Sequence, residues 1–133
     1  MYAQPQQFYR QQAAQTASPA QLVLMLYNGA LAEIARAGRG LAATPVDLED
    51  VNDCLGRAQA IVTELAVTLD HERGGKVAAN LAALYDFCID RLVTANVTKS
   101  ADGLDDVAQV LVGLRDAWEQ ACVNTAPVAA VTG

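Results

Sequence analysis

Residues 18–37 read SPAQLVLMLYNGALAEIARA and combine a helix start with one continuous apolar face. Ser18 can cap the first turn, Pro19 stands at the first helical position, where its missing N–H costs nothing, and Gln21 completes a capping box. Apolar residues then recur with the 3.6-residue period of an amphipathic helix. They are Val23, Leu26, Tyr27, Ala30, Ile34 and Ala37. We therefore predict a helix that begins at Pro19 and stops at the glycines of residues 38–40.

Three further apolar faces follow, separated by short segments that contain turn residues. The first separator, residues 43–47, offers Thr44 or Asp47 as a helix cap. The second, residues 70–75, ends in two glycines that can take left-handed conformations and reverse the chain, and the third is residues 99–102. The three predicted faces are Val51, Leu55, Ala58, Ile61, Val62, Leu65 and Leu69; Val77, Leu81, Leu84, Tyr85, Cys88, Leu92 and Ala95; and Leu104, Val107, Leu111, Leu114, Trp118 and Ala121.

Four helices of about 20–25 residues, joined by turns too short for a crossover, must each pack antiparallel to the next along the chain. The predicted fold is all-α, an antiparallel up-down-up-down four-helix bundle. Residues 1–16 are rich in glutamine and lack apolar periodicity, so we expect a flexible N-terminal arm. We predict the bundle domain at residues 17–124 and a disordered tail at residues 125–133.

The composition restricts the partners and the compartment. The 133-residue chain has a formal net charge of -6 and no cluster of basic residues, so we expect no nucleic-acid partner. Because it has no signal-peptide pattern and no apolar run of ~18 residues, we expect a cytoplasmic protein without direct membrane insertion. Only 18% of the residues are charged, below the roughly 25% of an average soluble domain, which leaves apolar surface for a partner.

Residue types that catalysis or cofactor binding requires are sparse. A di-metal centre in a helical bundle needs a Glu-x-x-His pair on each of two helices, but the chain has one histidine, His71. No phosphate-binding glycine loop, C-x-x-C pair or nucleophile elbow occurs. We therefore expect no enzyme activity, no metal and no cofactor. The three cysteines, Cys54, Cys88 and Cys122, lie on the apolar faces, as reduced core thiols do.

Some apolar residues fall outside the stripe that one core needs. Leu22 and Met25 of the first helix face partly away from it, and Val110 of the fourth lies beside core positions. Such strips often mark a binding groove. Tyr27 and Tyr85 allow two interpretations: each ring packs in the core and its hydroxyl bonds to a neighbouring helix, or each contacts a partner. The residues that we predict to line the groove are Leu22, Met25, Leu26, Tyr27, Tyr85, Val110 and Leu114.

Short motifs occur in a fixed order over residues 1–122. They are Met1-Tyr2-Ala3, Thr16-Ala17-Ser18-Pro19 with Leu22, Leu24-Met25-Leu26-Tyr27-Asn28-Gly29-Ala30, Arg57-Ala58-Gln59, Glu64-Leu65, Thr68-Leu69-Asp70, Gly74-Gly75, Asn80-Leu81, Leu84-Tyr85-Asp86, Arg91-Leu92, Ala95-Asn96 and Leu114-Arg115-Asp116-Ala117-Trp118. Together they resemble the FliS family of bacterial flagellar secretion chaperones. Asn28 departs from the aspartate that this family usually has, the turn around Pro45 is irregular, and the tail beyond Val123 lies outside the resemblance.

The resemblance implies an ATP-independent chaperone that binds the C-terminal segment of flagellin. Such a chaperone prevents premature polymerisation of flagellin and delivers it to the membrane protein of the flagellar type III export gate. The resemblance also implies that the N-terminal arm can cover the groove when no client is bound. Met1, Tyr2, Phe8 and Tyr9 are the arm residues that could do so. The alternative interpretation is a non-enzymatic helical adaptor that forms a homodimer through the same apolar surface.

Overall fold

The computed structural model describes the backbone of residues 17–132 and the side chains of residues 17–123. Over this part of the chain there are four helices: α1 (Pro19–Ala42), α2 (Leu48–Val67), α3 (His71–Thr98) and α4 (Leu104–Thr132). Helix α1 packs against α2 and α4, and α3 packs against the same two helices. The short connections make each helix antiparallel to the next. The predicted all-α, four-helix bundle is confirmed.

Local side-chain bonds fix the start of two helices where the sequence predicts them. The Ser18 hydroxyl accepts a hydrogen bond from the Gln21 N–H at 3.2 Å, and the Gln21 side chain accepts one from the Ser18 N–H at 2.8 Å. Asp47 caps α2 by accepting from the Asp50 N–H at 3.1 Å. Because a cap of this kind stabilises a helix by about 1 kcal/mol, these positions define the helix starts locally.

Helix α1 continues to Ala42, so the prediction that it stops at the glycines of residues 38–40 is wrong by about one turn. Gly40 serves a packing role instead. A Cβ atom at this position would lie 2.8 Å from Cγ2 of Val51, closer than side chains tolerate. The glycine therefore allows the end of α1 to approach the start of α2.

The chain reverses between α2 and α3 earlier than predicted. Asp70 caps α3 by accepting from the Arg73 N–H at 3.0 Å, so residues 71–74 already form a helical turn. Gly75 interrupts the helix with φ 50° and ψ -121°, a conformation that favours glycine. The pair of glycines thus marks a kink inside α3, and the reversal lies at residues 68–70.

The hydrophobic core is built from all four helices along their predicted faces. Its largest fully buried side chains are Leu55, Leu65, Leu92, Leu111, Val51, Val62, Val107, Cys54 and Cys88. Cys54 and Cys88 are thus core thiols, as predicted, and Cys122 is half-buried. On α3 the predicted core positions Val77 and Leu84 are exposed, whereas Ala78 is buried. The first two lie at the margin of the stripe, which is centred on Tyr85, Cys88 and Leu92.

The end of α4 differs from the sequence-based expectation. Its helical backbone extends to Thr132, whereas we predict a disordered tail at residues 125–133. Alanine and proline, which have opposite effects on helix stability, both occur in this segment. The local helix propensity of this segment is therefore mixed, and it does not decide between a helical and a disordered end.

Candidate functional site: an apolar cleft at one end of the bundle

A cleft of about 700 Å³ lies at the end of the bundle where α1 and α3 begin and α2 ends. Trp118 of α4 completes its wall. The cleft lies within the range of ~300–1,000 Å³ that is usual for ligand sites. Its apolar lining residues are Leu22, Val23, Leu26, Leu65, Leu69, Val77, Ala78, Leu81 and Trp118.

The cleft is open because two helices carry apolar side chains that no neighbouring helix covers. Leu22, in the capped first turn of α1, is 38% exposed, and Val77, just after the kink at Gly75, is 65% exposed. Leu81 follows Val77 by one helical turn and is half-buried. Apolar side chains on two walls that face the same space can be desolvated together by one partner.

Polar bonds to α4 hold the α1 side of the cleft. The Nε1–H of Trp118 donates to the carbonyl oxygen of Ala20 at 2.9 Å, which ties α4 to the first turn of α1. Two turns along α1, the Arg115 guanidinium donates to the Asn28 side-chain oxygen at 3.3 Å. Asn28 accepts here as a neutral amide, where an aspartate would form an ion pair. Trp118 is the single tryptophan of the sequence, so its fluorescence reports directly on this wall.

Two tyrosines that line the cleft meet between α1 and α3. The hydroxyl oxygens of Tyr27 on α1 and Tyr85 on α3 lie 2.6 Å apart, and the residues are 4% and 3% exposed. Burial raises the pKa of both phenols, so both remain protonated near neutral pH. The hydroxyl bond between helices agrees with the first of the two interpretations, and contact with a partner stays a prediction.

The rim of the cleft is polar. Glu64, Asp70 and Arg73 surround the opening on the α2 and α3 side. The Arg73 guanidinium lies 3.8 Å from the Asp70 carboxylate, and both side chains are largely exposed. Such a pair contributes little to stability, so these charges remain available to a polar part of a partner. His71 is exposed at the start of α3.

The predicted groove residues divide between the cleft and its surroundings. Leu22, Leu26, Tyr27 and Tyr85 line the cleft together. Val110 and Leu114 are partly buried against the core, and Met25 is half-buried outside the cleft lining. Contact of these three residues with a client stays a prediction. The predicted arm residues Met1, Tyr2, Phe8 and Tyr9 lie outside the described residues.

The sequence-based groove omits several residues that line the cleft. They are Leu65, Leu69, Leu81 and Trp118, all of which the sequence predicts on the core faces of their helices. The available signal for Leu65 and Leu69 is their position at the end of the apolar stripe of α2. Leu81 and Trp118 lie within the stripes of α3 and α4, where periodicity alone gives no such signal. A second cavity of about 590 Å³ lies between α1 and α4 near Leu31, Gly38 and Leu104.

Within the described part of the chain, no group of three or more His, Cys, Asp or Glu residues could hold a metal ion. No helix among those residues is long and apolar enough to cross a membrane. What the geometry does provide is a large apolar cleft with a polar rim. Within the described residues, the molecule is a four-helix bundle that carries this cleft at one end.

Comparison with known proteins assigns the family. The family model described as "Flagellar protein FliS" matches residues 1–125. The flagellar secretion chaperone FliS of Bacillus subtilis is 38% identical over 117 residues, which cover 88% of this chain and 85% of that protein. The protein of the same name from Salmonella typhimurium is 37% identical over 109 residues, which cover 81% and 79%. The chain belongs to the FliS family of flagellar secretion chaperones, which is not an enzyme class.

A solved structure supports the fold independently. A crystal structure described as a flagellar chaperone from bacteria superposes with a TM-score of 0.73 at 23% identity. The match covers 90% of this chain and 99% of that one. The bundle architecture is therefore shared over nearly the whole length of the solved chain.

Proposed function

We propose that this chain is a cytoplasmic, ATP-independent chaperone for flagellin. It binds the disordered C-terminal segment of flagellin, prevents its premature polymerisation, and delivers it to the membrane protein of the flagellar type III export gate. The observation that carries this proposal is the apolar cleft of about 700 Å³ between α1, α2 and α3, in a chain of a flagellar secretion chaperone family.

The energetics of a disordered client require such a site. Ordering a segment costs roughly 1–2 kcal/mol per residue for the backbone alone. Each apolar side chain that becomes fully buried offsets this by roughly 1.5–3 kcal/mol. A client that forms an amphipathic helix in the cleft satisfies its own backbone hydrogen bonds and presents apolar residues at i, i+3, i+4 and i+7. Leu22, Val77 and Leu81 are the side chains that such a helix would desolvate.

Titration with a flagellin peptide tests the proposal. We expect a peptide of the C-terminal segment of flagellin from the same bacterium to bind one-to-one by calorimetry. The complex should have more helix by circular dichroism than the separate components. A peptide of equal length and charge with a scrambled sequence is the control. Absence of heat and of helix gain with the native peptide would contradict the proposal.

The dimerising adaptor remains the alternative function, since a second copy could cover the same cleft. Sedimentation velocity on the free protein distinguishes the two functions. A chaperone should be monomeric when its client is absent or should dissociate when the peptide binds. A homodimer that persists at saturating peptide and leaves the fluorescence of Trp118 unchanged would favour the adaptor.

We propose that residues 1–16 cover the cleft when no client is present. The described chain begins at Ala17, and Pro19 already lines the cleft. Sixteen residues can extend up to about 50 Å, so Met1, Tyr2, Phe8 and Tyr9 can all reach it. Because the arm is tethered, it competes at high effective concentration.

Deletion of residues 1–16 should therefore increase the fluorescence of an apolar dye bound to the protein, about twofold or more, because the cleft loses its cover. The matched control replaces Met1, Tyr2, Phe8 and Tyr9 with serine, with an initiating methionine added before them. This control keeps the length of the arm and should increase dye fluorescence equally. Unchanged fluorescence in both variants would exclude covering by the arm.

A further inference from the structure

The hydroxyls of Tyr27 and Tyr85, two residues that line the cleft, have more hydrogen-bond donors than they use. Each phenol carries one O–H donor and two acceptor sites. The 2.6 Å bond between Tyr27 and Tyr85 uses one of the two donors. Among the described residues no other hydrogen bond involves either hydroxyl, so one O–H donor remains to be satisfied. Both residues line the cleft and are almost fully buried.

We propose that the Tyr27–Tyr85 pair is a polar anchor for the chain that fills the cleft, and that its spare O–H donates to a carbonyl oxygen of that chain. This inference rests on the proposed function, because the occupant is the apolar client segment. The carbonyl belongs to the main chain at the end of a client helix or to an Asn or Gln side chain. Carbonyls inside a helix are already bonded.

Desolvation explains why the occupant needs an acceptor at this depth. Any water that reaches the spare hydroxyl from the open cleft can accept its hydrogen bond. The neighbouring Leu26, Leu65 and Leu81 offer no acceptor, and the acceptor side chains of the lining, Glu64, Thr68 and Asp70, make no hydrogen bond to either hydroxyl. A client that expels this water without a carbonyl at the right place would leave a buried donor unpaired, which is unfavourable. The pair therefore selects among apolar segments and fixes the register of the one that binds.

A purely structural role would not require the two hydroxyls. Two phenylalanines would fill nearly the same volume and would leave no donor to satisfy. The hydroxyl oxygens are close enough that either can donate to one acceptor placed beside the pair. The anchor therefore predicts that one remaining hydroxyl suffices for binding, whereas a structural bond would be lost with either one.

Binding of the flagellin C-terminal peptide to the full chain tests whether one remaining hydroxyl suffices. We expect Y27F and Y85F each to bind within about twofold of the wild type, since each keeps one donor. We expect Y27F/Y85F to bind about tenfold more weakly, because the client carbonyl then loses its partner. Circular dichroism establishes that each variant is folded. The control T98V removes an exposed hydroxyl, bonded to the Thr94 carbonyl at 2.8 Å, and should bind as the wild type does.

Two small molecules test the anchor without depending on the identity of the client. Cyclohexanone and methylcyclohexane have similar shapes, but only the first has a carbonyl. Followed by the NMR shift of the Trp118 indole, cyclohexanone should bind the wild type several-fold more tightly than Y27F/Y85F, whereas methylcyclohexane should not distinguish them. Equal binding of cyclohexanone to both proteins, or none to the wild type, would overturn the anchor. Discrimination by cyclohexanone without binding of the flagellin peptide would support the anchor and overturn the proposed client.

Discussion

Aspartate in place of both Leu22 and Val77 should abolish binding of the flagellin peptide, with at least a hundredfold loss of affinity. Both side chains face the cleft and are exposed in the free protein. The new carboxylates stay hydrated when the cleft is empty, but a bound client would bury them without a partner. Removing a partner from a buried charge costs about 3–5 kcal/mol, and every 1.4 kcal/mol is a factor of ten in affinity.

The stability of L22D/V77D should stay close to that of the wild type. Leu22 lies in the first turn of α1 and Val77 follows the kink near the start of α3. Acidic residues near a helix N-terminus interact favourably with the helix dipole. The melting temperature, measured by circular dichroism, should therefore change by only a few degrees.

The matched control is L48D. Leu48 is also an exposed apolar residue in the first turn of a helix, but it lies at the opposite end of the bundle. We expect L48D to bind the peptide as the wild type does. Full affinity in L22D/V77D would show that the client contacts another surface, and the cavity between α1 and α4 would then be the next place to examine.

Local signals made most of the helix boundaries predictable. The Ser18, Pro19 and Gln21 pattern specifies the start of α1 because its bonds join residues three positions apart. Asp47 works in the same way for α2. Two of the errors, at the end of α1 and at the start of α3, occur where a glycine has two possible uses. Gly40 predicts a helix stop but in the structure allows close packing on Val51, and only the position of α2 distinguishes these two uses.

The cleft was less predictable because it depends on contacts between residues far apart in the sequence. Periodicity placed Tyr27 on the apolar face, yet its hydroxyl partner is 58 residues away. The bond from Trp118 to the Ala20 carbonyl spans 98 residues. Leu22 was predicted as a groove residue because it lies off the stripe. Val77 belongs to the predicted apolar face of α3, and its position on that face does not indicate that it is exposed.

Alanine in place of Leu92 should destabilise the bundle by about 3 kcal/mol without removing the cleft. Leu92 is fully buried on α3, and truncation of a buried leucine costs about 2–5 kcal/mol through lost burial and the cavity that remains. Urea unfolding at 25 °C measures the change in the free energy of unfolding, and the melting temperature should fall by about 10 °C or more. The control V97A truncates an exposed side chain on the same helix and should change stability by less than about 0.5 kcal/mol.

Peptide binding by L92A tests whether the cleft depends on the packing of the core. Native domains have about 5–15 kcal/mol of stability, so L92A should remain mostly folded at 25 °C and bind within a few-fold of the wild type. Helix α3 carries Val77, Leu81 and Tyr85 of the cleft as well as Leu92 of the core. If L92A instead stayed folded but lost binding, the cleft would depend on tight packing of α3 along its whole length. A loss of stability below about 1 kcal/mol would contradict the packing of Leu92 itself. L22D/V77D is expected to show the opposite pattern to L92A, with stability close to that of the wild type and no peptide binding. Only a binding surface that is separate from the core produces both patterns.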